Sequence, residues 1–320
     1  MLVFPIRRKY SIPCEIQYRK GIVIATSGFT KEERNIMESR IAQAIETKHP
    51  PIALIWADEK PEGAMQFQEG RWGCVMWLAA SAAKGRSAVC DAETFGCFGG
   101  GVGMGFGDRY KSFPGGEEGF CHFLSSGIKG WVGGPAVAEM VKPFMRDEAY
   151  DNFIRGERYI RSPELVKRFL KALPITQIPK RYVVFRPLAD VDTEKEPPQT
   201  VIFFADPNEL SALVVLANYG RGDNENVIIP YAAGCQTIGI YPYREAKADR
   251  PRAVVGLTDL SARVYIRKQL GDNLLSFAMP FSLFREMEAD VEGSFLQRHA
   301  WQELLAAKRS GQMPAPSKAT

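Results

Sequence analysis

Two short runs constrain this chain more than anything else in it: Ile52-Ala53-Leu54-Ile55-Trp56-Ala57 and Val201-Ile202-Phe203-Phe204 are apolar at every position. A strand with one wet face alternates apolar and polar residues, so a strand apolar throughout has to be covered on both faces. The chain therefore needs a sheet with helices on each side, and the flanking sequence supplies them. Thr30 stands three residues before Glu33 as in a capping box, and Ile36, Ile41, Ala44 and Ile45 share one face of a helix predicted over Lys31 to Lys48. Pro50-Pro51 ends it. Ser162-Pro163 and Asp206-Pro207 each place a capping side chain before a proline at the first helical position, opening helices through Leu173 and Asn218. Tyr182 to Phe185 reads as a strand and Asp190 to Pro198 as a surface loop, while Phe281 to Val291 and Phe295 to Lys308 carry helical spacing. Upstream, CEIQY and IVIAT around Arg19-Lys20-Gly21 predict a hairpin, and the terminal GQMPAPSKAT lacks the apolar content to pack.

The halves resemble each other. Each apolar strand ends in Ala-Asp (Ala57-Asp58, Ala205-Asp206), each is followed downstream by Gly-Cys (Gly73-Cys74, Gly234-Cys235), and then by a second apolar element (Ser87 to Val89, Arg252 to Val255). The expected fold is α/β, with α+β as its variant: compact, internally duplicated β-α-β halves, with an N-terminal hairpin and helix over residues 1–50. The main domain is expected over 51–292, its pseudo-repeats at 51–150 and 180–292, with a C-terminal helix and tail over 293–320.

Composition excludes several functions. Lys and Arg number 41 against 37 Asp and Glu, and the two signs are interspersed, so no basic stripe for nucleic acid exists. The longest uncharged stretch, Asn226 to Tyr243, carries Pro230, Gly234, Gln236, Gly239 and Pro242, a poor membrane span. Arg7 and Arg8 follow only six residues, too few for the apolar core of a signal peptide, so a cytoplasmic protein with reduced thiols at its six cysteines is expected.

Phe95 to Gly107 holds seven glycines in thirteen positions. Glycine costs backbone entropy on folding and is used where φ must be positive or where something approaches the main chain closely. The segment fits neither a dinucleotide fingerprint nor a Walker loop, so NAD and ATP are not expected. It reads as a loop in which Gly96, Gly99, Gly100, Gly101 and Gly103 would bind a cofactor or anion through main-chain amides, beside the thiol of Cys97. The plainer reading is a tight glycine turn packed on Phe95, Phe98 and Phe106. Cys74, Cys97 and Cys235 each follow or flank glycine, and Cys74 opens a small-residue helix, where a thiolate is favoured. An isolated free cysteine is more often a buried hydrophobe, and three hugging glycine shift that balance. Cys90 is a weaker candidate; Cys14 and Cys121 have no such setting. Of the histidines, His49 and His299 read as surface or helix-end residues, and nothing orders His122 against Cys97.

The order Arg71-Trp72-Gly73-Cys74, then Gly96-Cys97-Phe98-Gly99-Gly100 through Met104-Gly105-Phe106-Gly107, then Ala233-Gly234-Cys235 and Val255-Gly256, resembles domain-of-unknown-function family 169 (DUF169, the uncharacterised ArCR family) over about Pro51 to Phe284. Members usually carry Cys-Pro-Gly-Gly where this chain has Cys97-Phe98-Gly99-Gly100, and some carry a further cysteine where it has Leu257. The resemblance thus implies a three-thiol set of Cys74, Cys97 and Cys235, with Asp259, Cys90, water or substrate completing an iron–sulfur or zinc site. The family carries no established reaction.

The leading expectation is a cysteine-ligated metal or iron–sulfur site at the junction of the halves, serving redox or small-ligand chemistry. Its rivals are a non-enzymatic binder of small anions using the glycine segment, and a thiol enzyme with Cys97 as nucleophile. A small-molecule or redox partner is expected, with self-association left open.

Overall fold

A computed structural model describes residues 39–70 and 73–310. The hairpin around Arg19-Lys20-Gly21, the first part of the helix predicted from Lys31, Cys14, Arg71-Trp72 and the terminal tail lie outside those residues.

Among the described residues eight strands form one sheet: β1 (Ile52–Ala57), β2 (Met65–Gln66), β3 (Ala88–Asp91), β4 (Tyr182–Pro187), β5 (Thr200–Ala205), β6 (Val227–Ile228), β7 (Ala253–Gly256) and β8 (Leu275–Pro280). Their order is β2-β3-β4-β1-β5-β8-β7-β6. Outward from the antiparallel β1–β5 pair, each side adds two antiparallel neighbours and then a parallel edge strand. The parallel pairs are the ones whose strands are joined by helical crossovers, as parallel pairing requires. By strand order β4 groups with β1 to β3, so the sheet divides between Pro187 and Thr200.

The helices in chain order are α1 (Arg40–Ile45), α2 (Val75–Ala82), α3 (Phe98–Gly103), α4 (Gly116–Leu124), α5 (Gly134–Val141), α6 (Asp147–Arg155), α7 (Pro163–Ala172), α8 (Pro207–Tyr219), α9 (Gly234–Ile238), α10 (Ile240–Glu245), α11 (Leu260–Leu270), α12 (Phe281–Ala289) and α13 (His299–Ser310). Ser162 caps α7, and Asp206 forms a full capping box with Glu209 at α8, as their sequences predict.

β1 and β5 sit at the centre, and their alternate residues face opposite cores. Ala53, Ile55, Val201 and Phe203 meet α1, α8, α12 and α13 through residues such as Ile41, Leu213, Phe284 and Trp301. Ile52, Leu54, Trp56, Ile202 and Phe204 meet α2, α9 and α11 through Leu78, Ile238 and Ile266. Phe203 and Phe204 are each at most 1% exposed, worth roughly 1.5–3 kcal/mol apiece in apolar burial. α1 and α13, expected at sequence level as appendages to the main domain, pack into the first of these cores. A third core joins Val102 and Tyr110 to α4, α6 and α7 through Phe120, Phe153 and Leu170. It occupies the long connection between β3 and β4, and it flanks the site.

Candidate functional site

Cys74, Cys97 and Asp259 each stand at the N-cap of a helix on the second face of the sheet, ahead of α2, α3 and α11. Cys235 is the second residue of α9. Four separate elements thus deliver three thiols and a carboxyl to one region.

Glycine makes the convergence possible, by close approach. The expected glycine loop is helical over Phe98–Gly103, and φ is positive only at its flanks, at Gly96, Gly105 and Gly107. A Cβ on Gly96 would stand 2.6 Å from the carbonyl oxygen of Gly73, so the Cys97 segment lies directly on the Cys74 segment. A Cβ on Gly103 would stand 2.7 Å from the carbonyl carbon of Cys235 and 2.8 Å from the nitrogen of Gln236, so α3 and α9 touch backbone to backbone. One on Gly234 would be 3.2 Å from Asp259, Met76 and Ala262, where α9 meets α2 and α11. Gly100 and Gly101 are packed against Val75 and Arg109 in the same way, at 2.8 and 2.7 Å. Gly99 alone among the four glycines of α3 has room, its nearest neighbour at 3.7 Å. The segment lines neither the cleft of Leu257, Leu260, Arg263 and Leu274 nor that of Ser125, Arg158 and Arg161.

The thiols are held as neutral groups. Cys97 Sγ accepts from the Gly100 amide at 3.2 Å, and Cys235 Sγ donates to the Gly99 carbonyl at 3.1 Å. Burial pushes all three thiols above the ordinary range, with the amide of Gly100 only partly opposing it at Cys97. Beyond burial, Cys235 is raised by Cys97, Cys74 and Asp259, Cys74 by Cys97 and Asp259, and Cys97 by Asp259. The principal charged neighbours of these thiols are therefore one another. Asp259 is also raised by burial, while its carboxylate accepts from the amides of Ala262, at 2.6 Å, and Gly234. Both its oxygens are engaged with backbone, so it ties α11 to the residue preceding Cys235.

Two further groups border the site, one beside the thiols and one beside Asp259, neither visible in the sequence. Tyr110 is 3% exposed, and its hydroxyl accepts from Gln236 Nε2 at 2.8 Å; after burial, Cys235 and Cys97 are the strongest influences raising it. Tyr159 Oη lies 3.0 Å from Ser261 Oγ, which donates to Glu157 Oε1 at 3.3 Å, and Asp259 acts on both Glu157 and Tyr159. These residues come from the third core and from α11, at sequence distances that no local pattern links.

The other cysteines lie elsewhere: Cys90 is inside β3, and Cys121 is in α4 within the third core. His122 stacks on Trp131 at 5.4 Å, His49 lies 3.4 Å from the Leu270 carbonyl, and His299 is exposed on α13. Among the described residues no three His, Cys, Asp or Glu side chains are arranged as they stand to hold a metal ion. Among the described residues no helix is long and apolar enough to cross a membrane.

No curated protein and no solved structure is significantly similar to this chain. The sequence profile of DUF169, described as uncharacterised ArCR, matches residues 40–290, spanning α1 to the start of the segment after α12 and including every thiol and carboxyl of the site, and the chain belongs to that family.

Proposed function

We propose that Cys74, Cys97 and Cys235 take up a thiophilic metal ion or an iron–sulfur cluster, with the fourth position left to water or a small ligand. The observation that carries this reading is the composition of the site: Asp259 raises all three thiols, Cys97 raises Cys74 and Cys235, and their principal charged neighbours include no base. Buried acids without a paired base stay protonated until a cation takes the place of the proton, and a soft cation suits thiolate donors. Asp259, with both oxygens given to backbone amides, positions the Cys235 segment and is a poor fourth ligand. Three protein donors and an exchangeable fourth are the pattern of a site that works on a ligand, in redox or small-molecule chemistry.

A bound metal would take the place of the Cys235 thiol proton, which in the structure is donated to the Gly99 carbonyl. The same burial that raises Cys97 argues against its acting as a free nucleophile, which needs a lowered pKa. The test is anaerobic purification followed by elemental analysis for iron, sulfide and zinc. Stoichiometric metal that is lost on serine substitution of any one of the three cysteines supports the reading; protein that stays metal-free after reconstitution overturns it.

A further inference from the structure

We propose that the cleft lined by Ser125, Ser126, Arg158, Ile160 and Arg161 binds the phosphate group of a small phosphomonoester, independently of the thiols. Three successive amides fix one wall of it to the C-terminal end of α4. That of Glu157 donates to the Phe123 carbonyl at 2.8 Å, that of Arg158 to Ser125 at 3.1 Å and that of Tyr159 to Leu124 at 3.1 Å. They hold Arg158 at a φ of 57°, in the left-handed region that a long side chain rarely adopts. Backbone kept there at a cost is characteristic of ligand clamps. The consequence here is a division of the segment: Glu157 and Tyr159 are joined through Ser261, while Arg158, Ile160 and Arg161 line the cleft.

The charges in the cleft have one sign. Among the described residues no carboxylate pairs with Arg158 or Arg161, and the acids nearest along the chain are committed elsewhere. Asp151 pairs with Arg155 at 2.7 Å, Glu157 accepts from Ser261 at 3.3 Å, and Glu164 is bonded to the Ser162 side chain and its own amide. Arg158 spends only Nε, on the Arg155 carbonyl at 3.4 Å, which leaves both of its terminal NH2 groups. Ser125 gives its proton to the Cys121 carbonyl at 2.6 Å, and beside it the amide and hydroxyl of Ser126 have no partner among the described residues. Two guanidinium forks, a hydroxyl and an amide are donors without an acceptor, and such forks match the oxygens of a phosphate. A cleft of one sign also concentrates ions of the other. Its volume of about 380 Å³ exceeds what phosphate alone needs, and Ile160 supplies an apolar contact, so the ligand carries an organic group.

The test is calorimetric titration of the full chain with inorganic phosphate and with phenyl phosphate. Saturable binding is expected, with the ester at least as tight as phosphate. Arg161→Ala and Arg158→Asn are each expected to weaken it roughly 10-fold or more, asparagine being chosen because it tolerates the left-handed backbone. Arg168→Ala, on α7 outside the cleft, is expected to leave binding unchanged. If Arg158→Asn does not fold, Arg161→Ala decides. Absence of saturable binding in the wild type, phosphate bound more tightly than the ester, full binding in Arg161→Ala, or equal weakening in Arg168→Ala overturns the proposal.

Discussion

Cys97 and Asp259 occupy the same topological position: each caps the helix that leaves the third strand of its half, α3 after β3 and α11 after β7. Cys74 and Cys235 are related in the same way, at the first turn of the helix between the second and third strands, α2 and α9. The four groups meet because both halves present the same two connections to one face of the sheet. Cys97 Sγ accepts the Gly100 amide much as the Asp259 carboxylate accepts the Ala262 amide, so one side performs with sulfur what the other performs with oxygen.

That relationship sets the expected behaviour of Asp259. Asp259→Ala frees two buried amides, of Ala262 and Gly234, and is expected to cost about 1–3 kcal/mol in urea unfolding of the metal-free protein. Asp259→Asn keeps one acceptor oxygen and is expected to lose less. Equal losses in the two variants would mean that the cap contributes little.

The helical glycines are expected to separate cleanly. Gly103→Ala forces α3 off the backbone of Cys235 and Gln236 and is expected to destabilise by about 1–3 kcal/mol. Gly99→Ala meets only ordinary contacts and is expected to change stability by less than about 1 kcal/mol. Denaturation midpoints of the two variants, side by side, check whether glycine serves close packing here; a destabilised Gly99→Ala with a normal Gly103→Ala would reverse the argument.

The thiols predict a pH dependence of the metal-free protein. Burial raises Cys74, Cys97 and Cys235, so the folded state holds their protons more tightly than the unfolded chain does. Stability is then full below the unfolded thiol pKa of about 8.5 and falls as pH rises above it. Urea midpoints in chelator are expected to decline from pH 8 to pH 10, and Cys235→Ala should flatten that decline. Iodoacetamide at pH 7.5 should label these thiols slowly until the protein is unfolded.

Acid is expected to act through Glu245. Burial opposes its ionisation, but hydrogen bonds from Arg252, at 2.9 Å, and Arg244, at 2.7 Å, hold its carboxyl below the usual range. Its contribution is present above about pH 4.3, the unfolded value, and is lost as pH falls through the folded one. Glu245→Gln is expected to cost about 1–3 kcal/mol at pH 7, with the gap to wild type narrowing in acid; a gap that is constant between pH 7 and pH 3 would assign the loss to packing instead.

Much of the scaffold was legible because it depends on local pattern. Runs apolar on every side chain required central strands, and β1 and β5 are the two central strands of the sheet. Ser162-Pro163 and Asp206-Pro207 capped helices where they were expected to, since a cap is a contact within three residues. The glycine segment takes a conformation that entropy alone does not predict: a loop is expected, whereas the chain is a helix in which α9, Val75 and Arg109 leave no room for a side chain at Gly103, Gly100 and Gly101.

The sequence by itself determined that buried strands would be covered on both faces and that three cysteines would sit beside glycines, because both follow from residue type and near-neighbour order. Only the tertiary structure decided which groups share the site. Asp259 became a cap tied to Gly234, Tyr110 came to accept from Gln236, the residue after Cys235, and Cys90 was drawn into β3. Those placements are set by how helices from distant segments pack on one face of the sheet, at separations where a side chain's fate depends on volume and hydrogen-bond partners that no stretch of sequence contains.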